Sequence, residues 1–355
     1  MIRMDAVQTN GTITKLYSFE IAAAPLREIW LSTGKGFYSQ LWNTPTNWVS
    51  SGDVLSSTGR IVTRNQELVG KLGFMPVVPD LGLKDFDVLP GGEIAFSMEQ
   101  GQFSETLGDL TTGDLVTDSG RVLSRWGSLL APFSPDPLPV PPGLGAVQVL
   151  NGGEIYFSTQ NGFFSRKLGT TIGSTDLLSD SGAVVRKGDQ FLSAFGLKDP
   201  TLDCGLAAVY VWPNPIQETW FFTRQGFYDA NSNYFAAGDL LSDRGYVVYR
   251  ASELLAEFAP LDPTAAVPMD GLFVVTDSTA NTSSGETKIN QPVSTGGPSA
   301  NVVLSWSSDK RVFQVEKSAS AAGPFAPVGE IRTDRTFTDT GALKNAQGYY
   351  RLRTW

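Results

Sequence analysis

Three pairs of aspartates, each with its members four residues apart beside a glycine, have types and spacing that could bind a metal ion. The pairs are Asp114 and Asp118, Asp176 and Asp180, and Asp239 and Asp243. Calcium takes six to eight oxygen ligands and tolerates loop geometry, so these turns are candidate calcium sites. Asp and Ser also stabilise turns without a metal, because they bond to nearby backbone amides. A fourth copy of the segment has Ser57 in the second place, so we expect structural turns and no cofactor, with calcium as the alternative.

Four glutamates at matching positions are the second set of candidate chemical groups. They are Glu28, Glu93, Glu154 and Glu218. Two carboxylates about 5 to 9.5 Å apart can hydrolyse a glycosidic bond. A catalytic pair needs unlike environments, however, whereas equivalent positions in similar units offer like ones. We therefore expect each glutamate to begin a strand and to point to solvent, and we predict no catalytic residue.

The chain contains no histidine, and this absence excludes several reaction classes. Ser-His-Asp and Cys-His catalysis, histidine acid–base chemistry and histidine-ligated metal sites all need that side chain. The single cysteine, Cys204, cannot form an intramolecular disulfide. We expect it to be a buried thiol that packs as a small hydrophobic group.

Four aromatic residues in loops are candidates for ligand binding. They are Trp42, Trp48, Tyr234 and Phe235. Aromatic rings in loops could stack on sugar rings. The alternative is that these rings pack at the edges between neighbouring units of the chain.

The charge balance argues against a nucleic-acid partner. The chain has 27 basic and 36 acidic side chains, a formal charge of −9, and no cluster of Lys or Arg. Nucleic-acid binding depends on such clusters, and so does docking on anionic membranes. No apolar segment reaches the roughly 20 residues that span a bilayer. We therefore predict protein or carbohydrate partners, or self-association.

The candidate residues lie in a segment that occurs four times. Its lead aspartates are Asp53, Asp114, Asp176 and Asp239, so the repeat length is about 62 residues. A glycine stands six positions after each lead aspartate: Gly59, Gly120, Gly182 and Gly245. Such regular recurrence is the signature of stacked supersecondary units.

Each repeat has the same predicted parts. An apolar strand and a Gly-containing turn precede a second strand that is apolar on both faces, which predicts cover on both sides. A glycine eight residues after each glutamate is followed closely by an aromatic residue that we expect to be packed. These aromatic residues are Phe37, Phe103, Phe163 and Phe227. After the aspartate segment, apolar residues four apart predict a short helix with both side chains on one face.

The repeats resemble the general β-propeller pattern over residues 13–277, in which neighbouring blades cover each other's faces. No signature of a particular propeller family is present. The resemblance implies an all-β domain of four blades. Residues 265–277 read as the first half of a fifth unit, which either completes the first blade and closes the ring or leaves the array open.

The two ends of the chain differ from the repeats. Residues 1–12 are polar and expected to be flexible. Residues 278–299 are rich in Ser, Thr and Gly, which is typical of a linker, although part of 286–300 could supply a first strand to the tail.

The tail, residues 300–355, resembles a small fibronectin type III-like β-sandwich. The resemblance rests on the segments Leu304–Trp306, Phe313–Glu316, Phe337–Thr340 and Tyr349–Leu352. Modules of this kind are commonly spacers or adhesive accessories in secreted bacterial proteins. The resemblance therefore implies a secreted or cell-surface setting.

These observations favour a non-enzymatic binding or structural protein. It would be a scaffold that mediates protein or carbohydrate interaction or self-assembly. The alternative from a different class is a carboxylate-dependent glycoside hydrolase or lyase on a propeller scaffold. An enzyme should have one loop with unmatched polar residues, and the recurrent Asp and Glu positions show no such asymmetry.

Overall fold

Antiparallel β-structure makes up most of the regular structure of the chain, so the prediction of an all-β protein is confirmed. The computed structural model describes residues 2–6, 17–21, 26–41, 47–75, 80–136, 143–199, 201–213, 217–262, 267–277, 287–290, 293–295, 301–340 and 348–355. Trp42, one of the predicted ligand-binding residues, lies outside these ranges. No helix within these ranges is long and apolar enough to cross a membrane.

Four four-stranded antiparallel sheets contain the repeats, and we number them as repeat sheets 1 to 4. Sheet 1 has the strands Met269–Thr276, Leu26–Thr33, Val54–Ser56 and Arg60–Thr63. Sheet 2 has Leu83–Val88, Ile94–Met98, Leu115–Thr117 and Val122–Ser124. Sheet 3 has Leu144–Val149, Ile155–Thr159, Leu177–Ser179 and Ala183–Arg186. Sheet 4 has Leu206–Val211, Thr219–Thr223, Leu240–Ser242 and Tyr246–Tyr249.

The partial fifth unit completes the sheet of the first repeat. Its strand Met269–Thr276 pairs antiparallel with Leu26–Thr33, and Leu272 stands opposite Leu31. Every residue of Met269–Thr276 is buried. The chain thus returns from its fourth repeat to supply the strand that its first repeat lacks.

The first strands of the four sheets lie beside one another in cyclic order. Met269–Thr276 contacts Leu83–Val88, which contacts Leu144–Val149; that strand contacts Leu206–Val211, which contacts Met269–Thr276 again. All four strands are buried almost throughout. Their sequences read as apolar runs because neighbouring sheets cover both faces.

Asp85 joins three of these first strands through its buried carboxylate. Its Oδ2 accepts a hydrogen bond from the backbone N–H of Val147 at 2.6 Å. Its Oδ1 accepts bonds from its neighbour Phe86 at 2.7 Å and from Leu272 at 3.2 Å. Burial raises the pKa of Asp85 well above its ordinary value, although these backbone bonds oppose the rise.

The turn glycines allow each repeat to pack closely against the one before it. All four have φ between +84° and +89°, a region that favours glycine. A Cβ on Gly120 would lie 2.5 Å from the Lys71 carbonyl of repeat 1. A Cβ on Gly59 of the first repeat would lie 2.7 Å from the carbonyl of Glu257 in the fourth. The sequence predicts these glycines as turn residues, and the structure adds that they allow close contact between repeats in cyclic order.

A short helix follows the last strand of each repeat sheet, as the spacing of apolar residues predicts. The helices are α1 (Asn65–Val69), α2 (Trp126–Leu130), α3 (Gly188–Leu192) and α4 (Ala251–Leu254). Three of them continue into 3-10 turns at Ala131–Phe133, Ser193–Phe195 and Ala256–Phe258. The predicted apolar pairs of these segments, such as Leu129 with Phe133, are buried.

Each repeat also carries a two-stranded hairpin outside its main sheet, which we call ribbons 1 to 4. Their strands are Phe37–Tyr38 with Trp48–Val49, Gln102–Ser104 with Gly108–Leu110, Phe163–Ser165 with Thr170–Ile172, and Phe227–Tyr228 with Tyr234–Phe235. A ribbon is bonded to the helical segment of the preceding repeat. Ser104 Oγ of ribbon 2 donates to the Leu72 carbonyl of repeat 1. Ser39 Oγ, directly after the first strand of ribbon 1, donates to the carbonyl of Phe258 in repeat 4.

Part of the N-terminal segment forms a strand. Residues 2–6, within the stretch expected to be flexible, form the strand Ile2–Ala6, which pairs antiparallel with Tyr17–Ile21. The segment alternates apolar and polar residues, which is the period of a strand. The alternating segment has only five residues and is followed by polar ones, so the sequence analysis did not identify it as a strand.

The tail contains two small sheets. In one, Asn301–Ser307 pairs with Lys288–Ile289, Val293–Thr295 and Thr336–Asp339. In the other, Phe313–Ser318 pairs with Ala326–Pro327 and Tyr349–Thr354. Part of the predicted linker, residues 278–299, therefore supplies strands to the tail. Leu304, Trp306, Phe313 and Val315 form a core that the two sheets share.

The tail packs against the repeat sheets. Val312, Ile331 and Trp355 belong to the same apolar cluster as Phe86 and Phe273 of the first strands. Polar contacts surround this cluster. The indole N–H of Trp355 donates to Asp277 at 2.9 Å, and the Nε of Arg335 donates to the carbonyl of Gly91 at 2.9 Å.

Candidate functional site

The lead aspartates bind backbone and a basic side chain within their own repeats. Asp114 Oδ1 accepts from the Trp126 N–H at 2.8 Å, at the start of α2, and its Oδ2 accepts from the Thr111 N–H at 2.8 Å. Arg125 Nη1 lies 3.2 Å from the same Oδ2. The basic partner stands eleven positions after the aspartate in every repeat: Arg64, Arg125, Lys187 and Arg250.

The second aspartates of the predicted calcium pairs bind a different part of the repeat. Asp118, Asp180 and Asp243 accept bonds from the backbone N–H groups that follow the recurrent glutamates, at 3.0 to 3.2 Å. Ser57 Oγ accepts the equivalent bond in repeat 1 at 3.1 Å. Burial is the main cause that raises the pKa of Asp118.

Each half of a predicted calcium pair thus has its own protein partners. Asp176 binds the start of α3 and Lys187, whereas Asp180 binds the strand Ile155–Thr159. In the part of the chain that the structure describes, no three His, Cys, Asp or Glu residues are grouped as metal ligands.

Two of the recurrent glutamates are buried, so the expectation that all four point to solvent is wrong. Glu28 accepts bonds from the Trp30 indole at 2.8 Å, from Ser56 at 2.9 Å and from Arg60 at 2.7 Å. Strand geometry explains this burial. Glu28 and Trp30 are two residues apart and so lie on one face of their strand, and Ser56 stands opposite Trp30 on the adjacent strand.

Glu218 occupies the same kind of site in repeat 4. It accepts bonds from Ser242 at 2.6 Å, from the Trp220 indole at 2.9 Å and from the hydroxyl of Tyr246. Burial raises the pKa of Glu218, but these hydrogen bonds outweigh that effect and lower the pKa overall. The glutamates therefore hold strands together within a repeat.

The predicted ligand-binding aromatic residues lie on ribbons 1 and 4. Trp48 is 40% exposed and its ring centroid lies 4.9 Å from that of Tyr38, which stands opposite on ribbon 1. Tyr234 is 53% exposed and lies 5.0 Å from Tyr228 in the same arrangement on ribbon 4. Phe235 differs, because it packs on Phe195 and is only partly exposed.

The glycines before these ribbons make room for the aromatic rings. A Cβ on Gly36 would lie 2.2 Å from the Trp48 ring, and one on Gly226 would lie 2.3 Å from the Tyr234 hydroxyl. The rings therefore lie against the backbone of the facing strand while their outer surfaces remain exposed.

One exposed aromatic residue stands at the same place in all four repeats, two positions after the ribbon glycine. These residues are Tyr38, Phe103, Phe164 and Tyr228, with exposures of 53%, 59%, 45% and 50%. The packed-ring prediction holds for Phe37, Phe163 and Phe227, which are buried, and is wrong for Phe103. The constant spacing of two residues from the glycine could have identified this exposed set. In three repeats, however, a buried phenylalanine stands directly before the exposed ring, and the sequence analysis selected that residue instead.

A groove of about 560 Å³ lies between ribbons 4 and 1. Tyr234 lines it from one side and Gln40 from the other, and Leu255 and Pro260 are among its apolar residues. Ribbon 1 is held there by a bond from the Leu261 N–H to the Tyr38 carbonyl at 2.7 Å. The groove is therefore bordered by Tyr234 of the aromatic pair on ribbon 4.

A second cavity, of about 600 Å³, lies between the first strands and the tail, and we call it the junction cavity. Residues from the ends of all four first strands line it together with Arg311 and Trp355 of the tail. Arg311 Nη2 donates to the carbonyl of Val149 at 2.6 Å, and its Nη1 lies 3.2 Å from Asp87 Oδ2.

Comparison of the chain with protein-family models and with curated proteins gave no match. The candidate site therefore rests on its own geometry: four exposed rings on equivalent ribbons, a groove between two of them, and a cavity beneath the tail.

Proposed function

We propose that the repeat region, residues 13–277, is a four-bladed β-propeller and that the tail is a fibronectin type III-like β-sandwich. Three observations support the propeller. The first strands contact one another in cyclic order, Met269–Thr276 completes the sheet of the first repeat, and Gly59 packs on Glu257 of the last. Blades that are apolar on both faces are stable only when neighbours cover them.

On this scaffold the chain acts as a non-enzymatic, secreted or cell-surface protein that binds neutral polysaccharides through its ribbons. The observation that carries this proposal is the exposed aromatic residue at the same place in every repeat. Tyr and Trp are enriched at binding interfaces, because they combine an apolar ring with a polar group. The ring face of a pyranose carries C–H groups that pack well on an aromatic face.

The arrangement of the rings favours a repetitive ligand. Each ribbon offers one ring or one pair, and the ribbons belong to four different sheets. A protein partner would require a continuous interface of about 800 Å² on each side. Separate, similar platforms instead gain affinity by binding several units of one polymer at once.

The negative charge of the chain favours the binding of neutral polysaccharides over anionic ones. Its formal charge of −9 opposes the binding of anionic glycans. Polar residues stand opposite two of the rings, Asp109 across from Phe103 and Thr171 across from Phe164. These side chains can bond to sugar hydroxyls beside a stacked ring.

Sedimentation of the full chain with insoluble cellulose, chitin and starch tests the proposal. We expect binding to at least one polymer. The variant Tyr38→Ala should weaken it about fivefold, since one stacking contact contributes roughly 1 kcal/mol. Replacing Tyr38, Phe103, Phe164 and Tyr228 together should abolish binding, because the loss of several contacts also removes avidity.

Leu168→Ala is the matched control, because Leu168 is an exposed apolar residue in the turn of ribbon 3. It should bind as the unmodified chain does. Failure to bind any of the three polymers, or equal loss in the control, would refute the proposal. Concentration-dependent self-association that the fourfold variant abolishes would indicate assembly through the ribbons instead.

A further inference from the structure

The junction cavity has buried aromatic walls. Tyr210 and Trp212 of repeat 4, Phe273 of repeat sheet 1 and Trp355 of the tail all line it, and each is at least nine-tenths buried. The rim residue Gln217 is exposed. The cavity volume of about 600 Å³ is within the usual range for small-molecule sites.

Repeat 4 departs from its relatives at this cavity. The turns between the first two strands are short in repeats 2 and 3, where they run from Leu89 to Glu93 and from Leu150 to Glu154. In repeat 4 the connection is longer and runs from Trp212 to Glu218. The Trp212 ring lies 5.3 Å from that of Tyr210 and 4.9 Å from that of Trp220.

The indole N–H of Trp212 has no hydrogen-bond partner among the residues that the structure describes, although the side chain is only 5% exposed. A buried donor without an acceptor is destabilising, so such a group in a native protein calls for an explanation, such as a functional role or a bound water or ion. A ligand oxygen in the cavity would supply the missing acceptor.

The charged groups of the cavity are paired with one another or with neighbours. Asp87 pairs with Arg311, and Arg186 pairs with Asp243 outside the cavity. Glu218 accepts its bonds from Ser242, Trp220 and Tyr246. A charged ligand would disturb these pairs, so the lining favours a neutral one.

We propose that the junction cavity binds a soluble, neutral mono- or disaccharide. The sugar ring packs between the aromatic walls, and one of its oxygens accepts the hydrogen bond of Trp212 Nε1. Rim amides such as Gln217 and Asn151 face the outer hydroxyls. This site is separate from the ribbons, so it does not depend on the binding of polysaccharides there.

Isothermal titration of the full chain with glucose, N-acetylglucosamine, cellobiose, maltose and diacetylchitobiose tests the inference. We expect saturable binding of at least one sugar. Trp212→Phe keeps an aromatic ring and removes the N–H, so affinity should fall at least tenfold. The unfolding temperature should stay the same or rise, because the variant no longer buries an unpaired donor.

Trp306→Phe is the matched control, because Trp306 also buries an unpartnered indole N–H in the described structure but lies in the tail core. Its affinity should be unchanged. Gln217→Trp provides an independent variant at the exposed rim, and it should block entry. Because Gln217 has a φ of +50°, the unfolding temperature of this variant is measured in parallel. Absence of saturable binding with all five sugars, or equal affinity in Trp212→Phe and the unmodified chain, would overturn the inference.

The ribbons provide a test of independence. The fourfold ribbon variant should still bind the soluble sugar in the cavity, with unchanged affinity. If that variant loses both activities, the sugars bind at the ribbons and the junction cavity is not the site.

Discussion

The carboxylate of Asp114 accepts a hydrogen bond from the backbone N–H of Trp126, twelve residues later, at 2.8 Å. This bond satisfies one of the free N–H groups at the start of α2. The same link joins Asp53 to Asn65 in repeat 1 and Asp239 to Ala251 in repeat 4. The lead aspartate is therefore a remote helix cap that fixes the third strand of a repeat sheet relative to the helix.

We expect Asp114→Ala to lower the free energy of unfolding by about 2 to 4 kcal/mol. The substitution leaves the buried N–H of Trp126 and the partly buried N–H of Thr111 without their acceptor, and an unpaired buried group costs about 1–3 kcal/mol. Asp114→Asn keeps one acceptor oxygen and should cost less. Urea denaturation measures the differences, with Asp109→Ala, an exposed position in the same repeat, as the control.

Chelation should leave the stability unchanged, because the protein itself supplies partners to both aspartates of each predicted calcium pair. Asp239 binds Ala251 and Arg250, and Asp243 binds Thr219 and Arg186. A thermal scan with EDTA and with added calcium checks this. A shift of several degrees between the two conditions would show that a cation occupies these turns.

The sequence was sufficient to predict the parts of a repeat, because those parts depend on local patterns. Turn glycines such as Gly120 are identified by their spacing, and apolar pairs such as Leu129 and Phe133 by helical periodicity. The capping role of Asp114 was less accessible. A basic residue eleven positions later, here Arg125, was a visible signal, but only the fold shows that the two meet.

Features that depend on distant segments could not be predicted. Glu28 is buried because Ser56 of the adjacent strand and Arg60 of the strand beyond it donate hydrogen bonds to it, whereas its polar side chain alone suggested exposure. The junction cavity combines Trp212 with Trp355, which lie far apart in the sequence. No local pattern indicates that the tail lies over the ends of the first strands.

Cys204 should not react with Ellman's reagent at pH 8 in the folded protein. The thiol is buried, and burial, with a smaller contribution from Asp203, raises its pKa to about 12. The reactive thiolate is therefore almost absent at that pH. Absorbance at 412 nm should show one equivalent only after denaturation, and rapid reaction of the native chain would contradict the structure.

Asp270 should make stability depend on pH between about 4 and 6. Burial raises its pKa to about 6, and Lys84, 3.5 Å away, opposes the rise. The folded state then binds more protons than the unfolded state in this window, because the unfolded pKa is about 3.9. Stability from this group is consequently present at low pH and lost as the pH rises to about 6, by up to roughly 3 kcal/mol.

Asp270→Asn should remove that part of the pH dependence and should be no less stable than the unmodified chain at pH 7. Urea denaturation at pH 4, 5, 6 and 7 gives both profiles. Asp109→Asn is the matched control at an exposed position. Identical slopes for Asp270→Asn and the unmodified chain would show that Asp270 does not titrate in this range.

Arg311 should be the residue on which the attachment of the tail depends most. Its guanidinium donates to the carbonyls of Val88 and Val149 and contacts Asp87, which is almost fully buried. Removing one partner of a buried pair costs about 3–5 kcal/mol, because it leaves the other charge uncompensated. We expect Arg311→Ala to lower the free energy of unfolding by this amount, whereas Arg166→Ala, which breaks an exposed ion pair, should change it by less than about 1 kcal/mol.

The loss in Arg311→Ala should be smaller at pH 4 than at pH 7. Burial raises the pKa of Asp87, and Arg311 is the largest influence that lowers it. Without Arg311 the pKa of Asp87 rises further, so at pH 4 the folded variant carries a protonated, neutral carboxyl that needs no counter-charge. At pH 7 folding must bury the ionised form or keep its proton, and either is unfavourable. A deficit that is the same at both pH values would mean that the bonds to Val88 and Val149, rather than the charge of Asp87, determine how the tail is held.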